Sequence, residues 1–235
     1  MKSLYIIKAG STFATEVARL GDFEEWVRRG LGDAPCPVAV VNAEAGEALP
    51  APERCAGAIV TGSHAMVTDN LPWSVAIERL IRELVAARAP FLGICYGHQL
   101  LGRAAGGEVG YHPRGREAGT VSVELTLEGG RDPLFDGIPA RFAAHATHAQ
   151  SVLRLPPGAV HLAFNGFEPN HSFRVGESAW GVQFHPEYTR EIMAAYLQDG
   201  SAGSGASRKG SGVLGETPFA GRVLTNFASF VCRRF

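Results

Sequence analysis

Four short apolar runs punctuate the first hundred residues: Leu4-Tyr5-Ile6-Ile7, Val38-Ala39-Val40-Val41, Ala58-Ile59-Val60 and Phe91-Leu92-Gly93-Ile94. A strand with one wet face alternates apolar and polar residues, whereas an unbroken run has both faces covered. Helical periodicity fills the gaps between the runs. Phe23, Trp26 and Val27 recur at i, i+3, i+4 within 22–29. Pro72 opens a second pattern over 73–88, with Val75, Ile77, Leu80, Ile81, Leu84 and Val85 on one side. A helix over 96–105 follows the fourth run directly. Buried strands alternating with helices predict an α/β fold, in which a mostly parallel central sheet is covered on both faces.

After Gly106-Gly107 the pattern changes. Strands are expected near 118–126, 141–145, 160–164, 171–175 and 179–184, separated by Gly, Pro and Asn turns. This hairpin-rich second half either extends the sheet or caps one end of it. A helix is expected over 187–197. Residues 199–215 are rich in Gly and Ser, and the composition predicts a mobile loop. Val223, Leu224, Phe227, Phe230 and Val231 then mark a closing helix over 221–233, whose apolar stripe reads as core packing. No repeat or linker divides the chain, so 1–235 is read as one domain.

The formal net charge of -1 offers no basic footprint for nucleic acid or an anionic membrane. Lys8 and Gly10 interrupt the first apolar run, and no apolar stretch has the length of a bilayer span. A cytoplasmic protein is the expectation. Cys36, Cys55, Cys95 and Cys232 are widely spaced without a Cys-x-x-Cys pair and read as free thiols.

Cys95 stands apart from the other three. Gly93-Ile94-Cys95-Tyr96-Gly97 follows an apolar strand and opens a helix, which is the cysteine form of a nucleophile elbow. The turn is sharp, and side chains two residues to either side of its centre would collide, hence glycine at 93 and 97. The sulfur then sits at a helix N-terminus, where the dipole favours a thiolate. Gly181-Val182-Gln183-Phe184-His185-Pro186-Glu187 closes the last expected strand. His185 and Glu187 are two apart, so an extended chain projects them to one side. Pro186 disfavours helix at His185. Alone, His-Pro-Glu is more often a turn than a catalytic pair; with the elbow it completes a Cys-His-acid constellation.

The segments GICYGHQLL and GVQFHPE resemble those of the class I glutamine amidotransferases, in the same order, with Cys95 and His185 about 90 residues apart. The resemblance covers about residues 3–197. The GICYG variant is similar to the amidotransferase domain of GMP synthase and to stand-alone relatives, including γ-glutamyl peptidases. It implies a flavodoxin-like three-layer sandwich. It implies catalytic roles for Cys95, His185 and Glu187, and an oxyanion site built from backbone N–H groups of Gly62 or Ser63 and of Tyr96. It implies substrate contacts from Gln99. Thr147-His148-Ala149-Gln150 stands where GMP synthase domains carry Ser-His-Gly-Asp, so Thr147 and His148 are expected at the substrate, and the acidic residue that helps hold the amino-acid head is replaced by Gln150.

Three functions follow as expectations. The first is a glutaminase or amidotransferase that releases ammonia from glutamine through a cysteine thioester, with a separate synthase subunit as possible acceptor, since no Ser-Gly-Gly-x-Asp-Ser loop for ATP is present. The second is a γ-glutamyl peptidase or hydrolase with a larger leaving group. The third is a non-catalytic cysteine redox sensor, which would not need the His185/Glu187 pair. No cofactor is expected, and no metal: His145, His148 and His161 have no acidic or thiol companions at ligand spacing.

Overall fold

The computed structural model describes residues 2–33, 36–199 and 214–234. Its strands are β1 (Ser3–Lys8), β2 (Val38–Asn42), β3 (Cys55–Val60), β4 (Phe91–Ile94), β5 (Glu108–Tyr111), β6 (Glu117–Leu125), β7 (Arg141–His148), β8 (Gln150–Arg154), β9 (Val160–Phe164), β10 (Ser172–Val175) and β11 (Ala179–Val182). Nine of them form one sheet in the order β2-β1-β3-β4-β11-β10-β9-β6-β7, and β5 pairs with β8 separately. From β2 to β11 every pairing is parallel. From β11 outward every pairing is antiparallel. The hairpin-rich half therefore extends the sheet. It also caps one end: the His185 N–H donates to the His145 carbonyl at 2.8 Å, so outer strand β7 folds back onto the chain just past β11.

The unbroken apolar runs are explained by what covers each face. In β1, Leu4 and Ile6 enter one core with Ile59, Leu92, Ile94 and Val182. Tyr5 and Ile7 enter the opposite core with Ala58, Val60 and Phe91. Helices α2 (Phe23–Leu31) and α6 (Arg222–Cys232) cover the first face with Val27, Leu31, Val223, Leu224, Phe227 and Val231. Helices α3 (Pro72–Ala86) and α4 (Tyr96–Ala104) cover the second with Ile77, Leu80, Ile81, Leu84, Leu100 and Leu101. The result is the expected three-layer α/β sandwich.

Four elements depart from the periodicity. Helix α1 (Ala14–Leu20) buries only Glu16, which pairs with Arg19 at 2.6 Å, so it has no apolar stripe to detect. Strands β5 and β8 form a small two-stranded ribbon and lack a long alternating pattern. Helix α5 (Arg190–Asp199) starts three residues later than expected. Glu187 is drawn back to the His185 ring, and Thr189 Oγ1 instead accepts from the Ile192 N–H at 3.3 Å, which starts the helix there. Of the Gly/Ser-rich segment expected to be mobile, residues 200–213 lie outside the described residues.

Candidate active site

The site lies at the carboxyl ends of the parallel strands, where the crevice of an open α/β sheet opens. Strand β4 ends at Ile94 and α4 begins at Tyr96, so Cys95 makes the whole turn, at φ 50° and ψ -94°. That φ is unfavourable for a side-chain-bearing residue. The turn is pinned by the Cys95 N–H, which donates to the Val182 carbonyl at 2.8 Å. A Cβ on Gly93 would stand 2.3 Å from the Gly97 carbonyl carbon, and one on Gly97 would stand 2.5 Å from the Val60 carbonyl oxygen. Both glycines are required by backbone contact rather than by their own dihedrals.

His185 leaves the end of β11 and meets the elbow. Its Nδ1 lies 2.8 Å from Glu187 Oε1, and Tyr188 stacks on the ring at 4.0 Å between centroids. The three sequence-expected residues thus come together, all nearly buried. Burial alone would lower the His185 pKa. The charges of Glu187 and Cys95, with the hydrogen bond to Glu187, overcome it and raise the imidazole well above its ordinary value. For Cys95, burial pushes the thiol up, while the charge of His185 and then that of His148 bring it below its ordinary value. The electrostatics favour a thiolate–imidazolium pair.

A cavity of about 400 Å³ opens over this pair. One wall holds Gln99, Arg116, Thr147, His148 and Gln150, together with Ser63 and Tyr96. Tyr96 is the first residue of α4, so its N–H is one of the unpaired donors of a helix start. Gly62 is buried against the His185 ring: a Cβ there would stand 3.1 Å from the His185 Cε1. The Gln99 amide nitrogen is committed, donating to the Gln150 carbonyl at 2.8 Å and to Gln183 Oε1 at 3.1 Å. The Thr147 carbonyl lies 3.9 Å from Cys95 Sγ, and Thr147 Oγ1 accepts from Arg116 at 2.8 Å. His145 and His161 turn to other partners, Thr120 and the Pro169 carbonyl.

The opposite wall was not foreseen. Tyr188 continues from the His185 ring to Tyr196 at 5.1 Å, and Tyr196 to Phe13 at 5.1 Å and His64 at 5.6 Å. Tyr196 is held by Thr12 Oγ1 at 2.8 Å and His64 Nε2 at 3.1 Å. Arg116 and the buried Glu117 behind His148 were also missed. No spacing signal marks these residues, because they come from α5 and the turn before it, the β1–α1 loop, the loop after β3 and the junction of the β5–β6 loop with β6. Among the described residues lining the cavity there is no Asp or Glu.

The fold and the elbow facing a His–Glu pair define an α/β protein with a buried Cys-His-Glu cluster at the carboxyl ends of its parallel strands. The model of the family described as Glutamine amidotransferase class-I matches residues 20–201, and the chain belongs to that family of hydrolytic enzymes. It is 36% identical over 157 residues to a GMP synthase [glutamine-hydrolyzing] of Aeropyrum pernix, covering 65% of this chain and 28% of that protein. It is 32% identical over 139 residues to Gamma-glutamyl peptidase 5 of Arabidopsis thaliana, covering 58% and 55%. It is 32% identical over 160 residues to a Gamma-glutamyl-L-1-hydroxyisopropylamide hydrolase of Pseudomonas sp, covering 62% and 54%. The chain therefore spans about half, or less, of the length of these relatives. The fold is that of a glutamine amidotransferase from Methylobacillus flagellatus, with a TM-score of 0.77 at 22% identity over 97% of this chain and 95% of that one. Among the described residues, no helix is long and apolar enough to cross a membrane.

Proposed function

We propose that this chain hydrolyses the γ-amide of glutamine, or of a γ-glutamyl compound, through a thioester on Cys95. The observation that carries the reading is the buried Cys95 at its strained elbow, beside His185 paired to Glu187 at 2.8 Å, opening on a small-molecule cavity. Cys95 attacks the γ-carbonyl. Backbone N–H groups of Tyr96 and of Gly62 or Ser63 meet the oxyanion. His185 protonates the leaving nitrogen, and ammonia or amine departs. His185 then takes a proton from water, which attacks the thioester and releases glutamate. Gln99, Thr147 and His148 shape the acyl side. With glutamine as substrate, a separate synthase subunit takes the ammonia. The four free cysteines suit a reducing, cytoplasmic setting.

A second reading, hydrolysis of a γ-glutamyl peptide or amine, is favoured by the cavity itself. The leaving nitrogen must lie beside His185, and that side is walled by Tyr188, Tyr196 and Phe13. The deciding measurement is glutamate release from L-glutamine and from γ-glutamyl-L-phenylalanine, with Cys95→Ala as control. Turnover on glutamine on the order of 1 per second or faster, lost in the control, supports the glutaminase. Faster Cys95-dependent cleavage of the dipeptide supports the peptidase. No Cys95-dependent release from either substrate would sink both.

A further inference from the structure

His148 is placed as a neutral imidazole could not be. Its Nδ1 lies 3.0 Å from the Gln150 carbonyl oxygen and its Nε2 lies 3.0 Å from Glu117 Oε2. A carbonyl oxygen only accepts hydrogen bonds, and an ionised carboxylate does the same. Burial pushes the Glu117 pKa up, but the hydrogen bond from His148 and the close approach of His171, with the charges of both, hold it far below the usual carboxylate range. The other oxygen of Glu117 accepts from Asn165 Nδ2 at 2.9 Å. With acceptors at both ends, the ring carries a proton on each nitrogen.

We propose that His148 is a permanent imidazolium of the active site, a second positive charge beside His185 that holds Cys95 as the thiolate. His148 lines the same cavity as Cys95, and the carbonyl of its neighbour Thr147 lies 3.9 Å from the sulfur. Its side chain is 1% exposed, so water screens its charge little. The direction of the Cys95 shift agrees, with the charge of His148 acting in the same sense as His185. His148 differs from His185 in what it can do. Both of its N–H groups are spent on Glu117 and Gln150, so it acts by charge and positions no proton for the leaving group.

The groups that face His148 come from several elements. Glu117 stands on β6. Between β9 and β10, Glu168 Oε2 lies 4.0 Å from Nδ1, and His171 Nε2 lies 3.3 Å from Glu117 Oε2. His98 on α4 and His112 after β5 are both held below the ordinary histidine value, by burial first. Arg114 and Arg116 stand on the loop between β5 and β6, with Arg116 bonded to Thr147. Glu117 is the carboxylate bonded to the ring and anchors its charge.

Two measurements test this. Nitrogen-15 NMR of the unmodified protein at about pH 8 should show both ring nitrogens of His148 protonated, with the ring assigned by through-bond correlation to the His148 backbone. Alkylation of Cys95 by iodoacetamide, followed on its own peptide by mass spectrometry, should then shift its pH midpoint upward by about one unit in both His148→Gln and Glu117→Gln. A neutral His148 ring in the unmodified protein overturns the proposal, and so does an unmoved midpoint in a folded His148→Gln variant. If neither variant folds, the NMR result decides alone. The proposal rests on Cys95 being the nucleophile. An ordinary thiol midpoint in the unmodified protein would sink that reading separately, whatever the state of His148.

Discussion

At the scale of single residues, the elbow is constrained by steric contact and the Cys95–His185–Glu187 cluster by charge. Gly93 and Gly97 leave no room for a methyl group, because what they would strike is backbone. Gly93→Ala should therefore cost about 3 kcal/mol, read as a drop of the urea midpoint with an unchanged slope. The pair Cys95 and His185 sets the pH window. The thiol titrates below its ordinary value and the imidazole above its own, so the ion pair persists between the two. The kcat/KM profile should rise with the pair's first apparent pKa and fall with its second, on the alkaline side of the ordinary histidine value of 6.5. Glu187→Gln removes an anion that raises the His185 pKa. The alkaline limb should then move to lower pH, and kcat should fall about 100-fold.

At the scale of elements, α2 shows how one carboxylate ties a helix to the sheet. Asp22 caps α2 by accepting from the Phe23 N–H, accepts from the Thr12 N–H, and pairs with Lys8 of β1 at 2.6 Å. Asp22→Asn should cost about 3 kcal/mol at pH 7 in urea unfolding. Burial raises the Asp22 pKa, but Lys8 and the two backbone donors outweigh it and bring the carboxyl below its ordinary 3.8. A depressed acid pKa stabilises above the unfolded value and loses that stabilisation as pH falls through the folded one. The gap between the two proteins should therefore narrow below about pH 4. Helix α6 depends on burial instead. Phe227 is fully buried against Trp180 at 6.2 Å, and Phe227→Ala should cost about 4 kcal/mol in the same assay.

At the scale of the molecule, the connectivity interleaves the two halves. Strand β11 is the last of the described strands, yet it sits between β4 and β10. The parallel block lacks its fifth strand until the antiparallel block has been made, and the site lacks His185 until then. The chain should therefore unfold as one unit. Near-ultraviolet circular dichroism, reporting Trp26 beneath the aromatic wall and Trp180 in the sheet, should follow the same thermal curve as the far-ultraviolet signal. Two separated transitions would contradict the reading of 1–235 as a single domain.

What the sequence alone determined is what local chemistry dictates. Unbroken apolar runs specify strands covered on both faces, and Gly-x-Cys-x-Gly between a strand and a helix specifies the elbow. His185 and Glu187 are two residues apart on an extended chain, so their pairing needs no distant partner. The tertiary structure decided whatever depends on chain folding back over itself. Helix α1 buries no apolar stripe, and β5 and β8 are defined only by each other. The aromatic wall gathers Phe13, His64, Tyr188 and Tyr196 from three separate segments. Thr147 and His148 were expected at the substrate, but the charge on His148 comes from Glu117, 31 residues earlier and directly opposite it across the β6–β7 pairing. Register is set by the packing of a whole sheet, so that contact had no local sequence signal.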